Sequence, residues 1–200
     1  MSFRRPGSLY RMGKLTYGMN VSVDGYIVDS NGDFSWSEPD DEVHQFWNDR
    51  VGETAVSLYG RKLYELMSAY WPTAEQDPDI TPVTAEYARL WLAMPKVVFS
   101  QTLSSVDWNS RLERGDVVEV AERLKAETDG ILDVAGATLA APLIRAGLVD
   151  EYLVVVSPVA VGSGTPFFPT LDRWVTLDLV ENRTFAASGS VLLRFVPSRD

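Results

Sequence analysis

The sequence predicts an α/β domain: a mostly parallel central sheet covered by helices on both faces, with antiparallel strands at its C-terminal end. Three observations carry this. Short strand-like runs alternate with segments of helical periodicity from residue 15 to about residue 150. Several of those runs stop on glycine, on a hydroxyl residue or at a helix start, as strands do when they feed crossover helices. Beyond Glu151 the helical periodicity ceases, and three strand-like runs follow with turn residues between them, which implies antiparallel pairing.

Leu15 to Ser22 reads as the first strand, and the Gly-, Asp- and Ser-rich stretch to Pro39 as its loop. Asp40 is placed to cap a helix on which Val43, Phe46, Trp47 and Val51 recur at helical spacing. Thr54 to Tyr59 is a short strand of the buried type that runs into Gly60 and a helix reaching about Ala69. Trp71 to Pro82 holds Pro72, Pro78 and Pro82 among acidic residues and reads as a surface loop. A helix from Ile80 to Met94 sets Tyr87, Leu90 and Trp91 on one face, and Pro95 ends it before the strand Lys96 to Ser100. Asp116 to Ala126 is a further helix, and Ile131 to Val134 a very short strand ending at Ala135-Gly136. The helix Thr138 to Ala146 is closed by Gly147, suited to a left-handed C-terminal cap. The last strands are Tyr152 to Val159, Trp174 to Arg183 and Ser190 to Val196.

The 200 residues include 46% apolar and 23% charged side chains, the balance of one globular domain. We expect a flexible N-terminal extension over residues 1–13 and a single domain over 14–200. Arg4 and Arg5 are not followed by the apolar core of an export signal, and the longest apolar run, Leu153 to Gly162, is too short to span a bilayer and contains Pro158. A cytoplasmic protein without membrane association is the expectation. There is no Cys and one His, so disulfides, thiolate nucleophiles, Cys-ligated metals and multi-histidine centres are excluded. No metal is expected. A net charge of −10 argues against nucleic acid as a partner. The chemistry must then come from a bound organic cofactor.

Three strand ends carry candidate chemistry: Tyr59-Gly60-Arg61, Ser100-Gln101-Thr102 and Val134-Ala135-Gly136-Ala137-Thr138. Ligands of open α/β sheets bind outside the carboxyl ends of parallel strands, so the three ends suit one elongated cleft of dinucleotide size. Gly136 permits close backbone approach, and the helix start behind it offers free N–H groups to a pyrophosphate; taken alone it is equally an ordinary strand-to-helix turn. Arg61 is placed to hold a second phosphate, or else is a solvated helix residue. Ser100 and Thr102 gain meaning only in combination, since hydroxyls at strand ends are common turn residues.

Taken in order, Ser22-Val23-Asp24-Gly25-Tyr26-Ile27, Tyr59-Gly60-Arg61-Lys62-Leu63-Tyr64-Glu65, Pro95-Lys96-Val97-Val98-Phe99-Ser100, and the run from Ala135 through Ala146-Gly147-Leu148-Val149-Asp150-Glu151 resemble one family. It is the dihydrofolate-reductase-like family typified by the C-terminal reductase domain of the bifunctional riboflavin-biosynthesis deaminase-reductase. The resemblance runs from about Lys14 to Val196. It implies a three-layer α/β/α reductase fold, NADPH as cofactor, a small-molecule substrate and a homodimer. By that similarity Gly60, Arg61, Ser100, Gln101 and Thr102 surround the adenosine and its 2′-phosphate. Ala135, Gly136, Ala137, Thr138 and Leu139 cradle the pyrophosphate, and Val23, Asp24 and Gly25 lie along the nicotinamide. Two positions depart from the family pattern: Leu63 stands where many relatives carry Thr, and Ala135-Gly136 where many carry Gly-Gly.

The resemblance implies hydride transfer to a C=N or C=O carbon of a small heterocyclic or sugar-linked substrate, as in the reduction of 5-amino-6-(5-phosphoribosylamino)uracil. Dihydrofolate reduction and non-catalytic NADPH binding are the alternatives. Such a transfer needs a proton source. Asp41, at the helix start after the Gly/Ser-rich loop, is the first candidate and Asp24 the second, although first-turn acids and Asp-Gly turns also occur for purely local reasons. Phe34 and Trp36 on the same loop either cover a flat heterocycle or pin the loop. His44, among apolar neighbours, reads as structural. The segment from Val161 to Phe168 resembles a loop of the family, with Phe167 and Phe168 available to a dimer interface.

Overall fold

The computed structural model describes residues 12–198. All but Met12 and Gly13 of the expected N-terminal extension lie outside that range. The strands are β1 (Lys14–Ser22), β2 (Tyr26–Asp29), β3 (Thr54–Gly60), β4 (Lys96–Phe99), β5 (Ser110–Glu113), β6 (Ile131–Ala135), β7 (Glu151–Ser157), β8 (Gly164–Pro166), β9 (Leu177–Thr184) and β10 (Val191–Pro197). The helices are α1 (Asp41–Glu53), α2 (Arg61–Tyr70), α3 (Pro82–Ala93), α4 (Val117–Glu127) and α5 (Ala137–Arg145). The main sheet runs β5-β4-β3-β6-β1-β7-β10-β9, parallel through β7 and antiparallel over its last two pairings. β2 and β8 form a separate ribbon.

Three strands escape the sequence reading. β5 displays Ser110, Arg111 and Glu113, without apolar alternation, and is a strand because it pairs with β4. β2 carries the strand-prone run Tyr26-Ile27-Val28 inside a Gly- and Asp-rich stretch, β8 is the short Gly164-Thr165-Pro166, and the two pair with each other. Trp71–Gln76, read as loop, is a 3-10 turn. Thr81, whose side chain accepts from the Thr84 amide, moves the start of α3 to Pro82.

Strand alternation divides the core into two layers. Leu15, Tyr17, Leu58, Val97, Leu132, Val134 and Tyr152 face α4 and α5 in one continuous apolar layer. Tyr59, Val98, Leu153 and Val155 face the other way, under α1, α2 and α3, with Trp91 and Val43 buried against them. This second face is interrupted by a polar row. Lys96, Ser57, Asp133, Thr16 and Glu151 are direct cross-strand partners on five adjacent strands.

The two ends of that row are satisfied internally. Lys96 is buried, and its ammonium donates to the carbonyls of Trp91, Met94 (2.8 Å) and Trp108 (2.9 Å), while lying 4.2 Å from the centre of the Trp91 ring. Burial lowers its pKa to about 8. Fully buried Glu151 is surrounded by Lys14, Arg50 and Arg194. Burial pushes its carboxyl up, but the hydrogen bonds and charges of Lys14 and Arg194 outweigh this and hold it below the ordinary range.

Candidate active site

β3 lies between β4 and β6, with Gly60 opposite Phe99 and Tyr59 opposite Ala135. The ends bearing Gly60, Ser100 and Gly136 therefore lie side by side at the carboxyl edge of the sheet. β1 is the next strand beyond β6, so its continuation Val23-Asp24-Gly25 joins the same edge. All the residues assigned to the cofactor by resemblance thus come together.

Two helices start there, and both lack a side-chain cap. Asp40, Thr81 and Asp116 cap α1, α3 and α4 through their side chains. The cap positions of α2 and α5 are Gly60 and Gly136, with no side-chain acceptor. The first-turn amides of Arg61, Lys62 and Leu63, and of Ala137, Thr138 and Leu139, are left for an external acceptor at one edge. Gly136 has φ +95°, and a Cβ there would stand 3.4 Å from the Leu63 side chain. Glycine is favoured at that position by its backbone conformation, while the space would just admit a methyl group. Gly60, at φ −79°, is not conformationally constrained; a Cβ there would lie 3.9 Å from Leu139. Ala135 turns its methyl group into the Tyr59–Trp91 cluster and away from the edge, and Leu63 packs against the same cluster. The two departures from the family pattern are therefore absorbed by packing under the helices.

Arg61 is half-exposed and meets Glu65 only loosely, at 4.0 Å. A second cation, invisible in the sequence reading, stands nearby. Arg114, just after β5, donates to the carbonyls of Ser100 (3.1 Å) and Leu103, and Gln101 Nε2 donates to the Arg114 carbonyl at 2.8 Å. Ser100 Oγ accepts from the amides of Thr102 (3.2 Å) and Leu103 (3.1 Å), so its hydroxyl shapes its own turn. In the segment that the family resemblance assigns to the nicotinamide, Gly25 has φ +86° and closes a turn onto the Ser22 carbonyl, and Val23 is exposed.

The two acids expected to supply a proton have different surroundings. Asp24 Oδ1 accepts from the Val161 amide (3.2 Å) and Oδ2 from the Gly162 amide (2.7 Å), tying the β1–β2 turn to the loop before β8. Its hydrogen bonds, first with Ser22 and then with these amides, hold its pKa below the ordinary range, the opposite of a proton donor at neutral pH. Asp41 is exposed on an open groove between α1 and α3, with Gln45, Pro82, Val83, Glu86 and Arg89. Its neighbour Asp40 points inward: Oδ1 accepts from the Val43 amide at 2.8 Å, and Oδ2 is buried without a partner among the described residues. Asp133 is desolvated enough to raise its pKa to about 6, against the lowering effects of the Ser57 hydroxyl and Arg50. A single Asp in Ile131-Leu132-Asp133-Val134 carries no sequence signal; the cross-strand alignment reveals it.

His44 is structural, its Nδ1 3.1 Å from Asn48 Oδ1 and its ring edge-on to Tyr87 and Trp71. Trp36 donates to the Asp33 carbonyl within its own loop. Phe167 is buried and stacks on Tyr17 at 4.3 Å, so it belongs to the core and not to a dimer interface. Among the described residues no group of three or more His, Asp and Glu side chains is arranged to hold a metal ion, and no helix is long and apolar enough to cross a membrane.

Comparison with known proteins bears on this edge. The uncharacterized protein YyaP of Bacillus subtilis is 30% identical over 175 residues, 87% of this chain and 90% of that one. Among solved structures, a Shewanella sp. PV-4 protein provisionally named for riboflavin biosynthesis superposes with a TM-score of 0.72 at 19% identity, covering 93% of this chain and 99% of its own. The Thermotoga maritima diaminohydroxyphosphoribosylaminopyrimidine deaminase/5-amino-6-(5-phosphoribosylamino)uracil reductase gives 0.66 at 13% identity, and the match covers 94% of this chain but 57% of that longer one. Dihydrofolate reductase from Enterococcus faecalis, in complex with NADP(H), gives 0.64 at 16% identity over 96% of this chain and 100% of that one. At these identities the structural likenesses establish the dihydrofolate-reductase-like fold and nothing finer. The family itself is fixed by sequence: with the model of the RibD C-terminal domain matching residues 13–189, the chain belongs to the RibD C-terminal domain family.

Proposed function

We propose that the protein is an NADPH-dependent reductase of the riboflavin-biosynthesis type, delivering hydride to a C=N or C=O carbon of a small heterocyclic or sugar-linked substrate. The observation that carries this reading is the pair of uncapped helix starts, α2 and α5, side by side at the carboxyl edge where the three other long helices' N-termini are capped by their own side chains. Backbone amides left open in this way suit a dinucleotide pyrophosphate.

The residues fit that cofactor. Ala137, Thr138 and Leu139 present amides to the pyrophosphate, and Gly136 keeps the approach clear. Arg61 and Arg114, at the ends of β3 and β5, flank the Ser100–Thr102 turn as the cations for a 2′-phosphate. Val23 and Gly25 line the nicotinamide end. NADPH, when bound, supplies the hydride; the chain positions it and excludes water.

Titration of NADPH and NADH, followed by nucleotide fluorescence, tests the reading. Charge-assisted contacts are worth roughly 1.5–3 kcal/mol, so Arg61→Ala and Arg114→Ala are expected to weaken NADPH about tenfold or more and NADH less than about threefold. Equal losses for both nucleotides would remove the 2′-phosphate assignment, and no binding of either by the wild type would remove the cofactor. The homodimer implied by family resemblance is checked by light scattering on the same samples.

A further inference from the structure

Alternation sorts the side chains of β7, β10 and β9 onto two faces. On the side of α1, Leu153, Val155 and Leu192 are at most 3% exposed and lie in one cluster with Val43, Phe46, Trp47 and Phe185. The opposite face carries Val154 and Val156 on β7, Leu193 and Phe195 on β10, and Leu177 and Leu179 on β9. None of these six is buried, and Leu179 is 51% exposed. Beneath α4 and α5 the same side of the sheet is dry, with Leu15, Leu58, Leu132 and Val134 at 0%. Half-exposed Met19, the cross-strand neighbour of Val154, marks where that cover ends. The last three strands therefore present an apolar sheet face that no layer of this chain closes.

Every charge on β9 and β10 lies on the other face. Arg194 pairs with Glu181 at 3.0 Å and with Glu151 at 2.8 Å. Arg183 pairs with Glu42 of α1 at 2.6 Å and lies 4.8 Å from the centre of the Phe185 ring. Asp178, opposite Val196, falls on that side by the same register. β9 is the outer edge of the sheet, and strands open to water on both faces have no physical cause to keep one of them free of charge. An apolar face of this kind marks an interaction surface.

Charge also selects the occupant. A different protein that recognised a chain of net charge −10 by electrostatics would meet acids, and this face offers it none. Aliphatic and aromatic residues without charge are instead the composition of a homodimer core. A flat, chargeless face also matches itself across a two-fold axis. We propose that a second copy of the chain packs this face of β7, β10 and β9 onto its own, sheet on sheet at about 10 Å, with α1 on the outside of the pair. Family resemblance implies a dimer without naming its surface. The surface follows from these three strands and does not rest on the reductase reading.

Sedimentation velocity of the full chain across a concentration series is the test, with Leu179→Lys and Asn182→Lys on the proposed face and Asp178→Lys on the other face of the same strand. All three positions are exposed, so each variant is expected to keep the wild-type circular dichroism and denaturation behaviour of a folded monomer. The wild type and Asp178→Lys are expected to dimerise alike. Leu179→Lys and Asn182→Lys are expected to raise the dissociation constant about a hundredfold or more, because the two-fold axis buries each new charge twice. Added salt is expected to tighten the wild-type dimer by screening the repulsion between two acidic copies. The proposal is overturned if the wild type stays monomeric, if both lysines on the proposed face leave the dimer unchanged, if Asp178→Lys dissociates it equally, or if salt dissolves it. The nucleotide titrations above judge the reductase reading separately, since neither result depends on the other.

Discussion

Gly136 and Asp133 sit three residues apart, one fixed by its backbone and the other by its surroundings. At φ +95°, Gly136→Ala introduces backbone strain, with the new methyl group in ordinary contact with Leu63 at 3.4 Å. The expected loss is about 1–2 kcal/mol of stability, read as a lower denaturation midpoint, together with weaker NADPH binding. Asp133 makes a prediction through pH. In the unfolded chain an Asp ionises near about 3.9, whereas the folded carboxyl holds its proton to about 6. Between those values the native state binds more protons, so this group's contribution to stability falls as the pH rises and is lost once the folded group has ionised. Asp133→Asn should therefore gain on the wild type in denaturation midpoint between pH 4 and pH 7; a constant difference across that range would contradict the desolvated acid. The glycine was legible in the sequence because it follows a strand and precedes a helix. The aspartate was not, because its meaning lies in which residues stand opposite it.

Helices and long strands were read from sequence wherever a local device specifies them. Asp40 and Asp116 cap α1 and α4 as their spacing predicts, and Pro95 ends the segment after α3. β2, β5 and β8 were missed because their three or four residues carry no period of their own and are strands only through their partners. The same locality explains why Arg114 went unseen: its contacts are to carbonyls of a loop that begins fourteen residues earlier in the chain. At this scale Lys96 is the informative test. Its ammonium closes the C-terminal turn of α3 onto the loop at Trp108, where Trp108 and Asn109 both have positive φ. Lys96→Met keeps the length but removes the ammonium from three carbonyls, of which only that of Trp108 keeps another side-chain donor, the Ser110 hydroxyl, and should cost about 2 kcal/mol or more in chemical denaturation. A neutral substitution would show that the carbonyls find water instead.

Over the whole molecule, a net charge of −10 coexists with an edge that carries Arg61, Lys62 and Arg114. An anionic dinucleotide is repelled at long range and held at short range. Because added salt screens the long-range field first, over about 10 Å at 0.1 M, the association rate of NADPH is expected to rise with ionic strength in stopped-flow measurements. A steep fall would mean that the local cations dominate even at a distance. The fold class, the sheet's switch to antiparallel strands and the three converging strand ends were all available from periodicity and turn chemistry. The polar row bears last on how the chain reaches this arrangement. Side chains alternate between faces, so sliding β4, β6 or β7 by a single residue would turn Lys96, Asp133 or Glu151 into the dry layer beneath α4 and α5. The row thus acts as a proofreading mark: misaligned sheets are penalised by a stranded charge while the native one is assembled, whatever the site above it later binds.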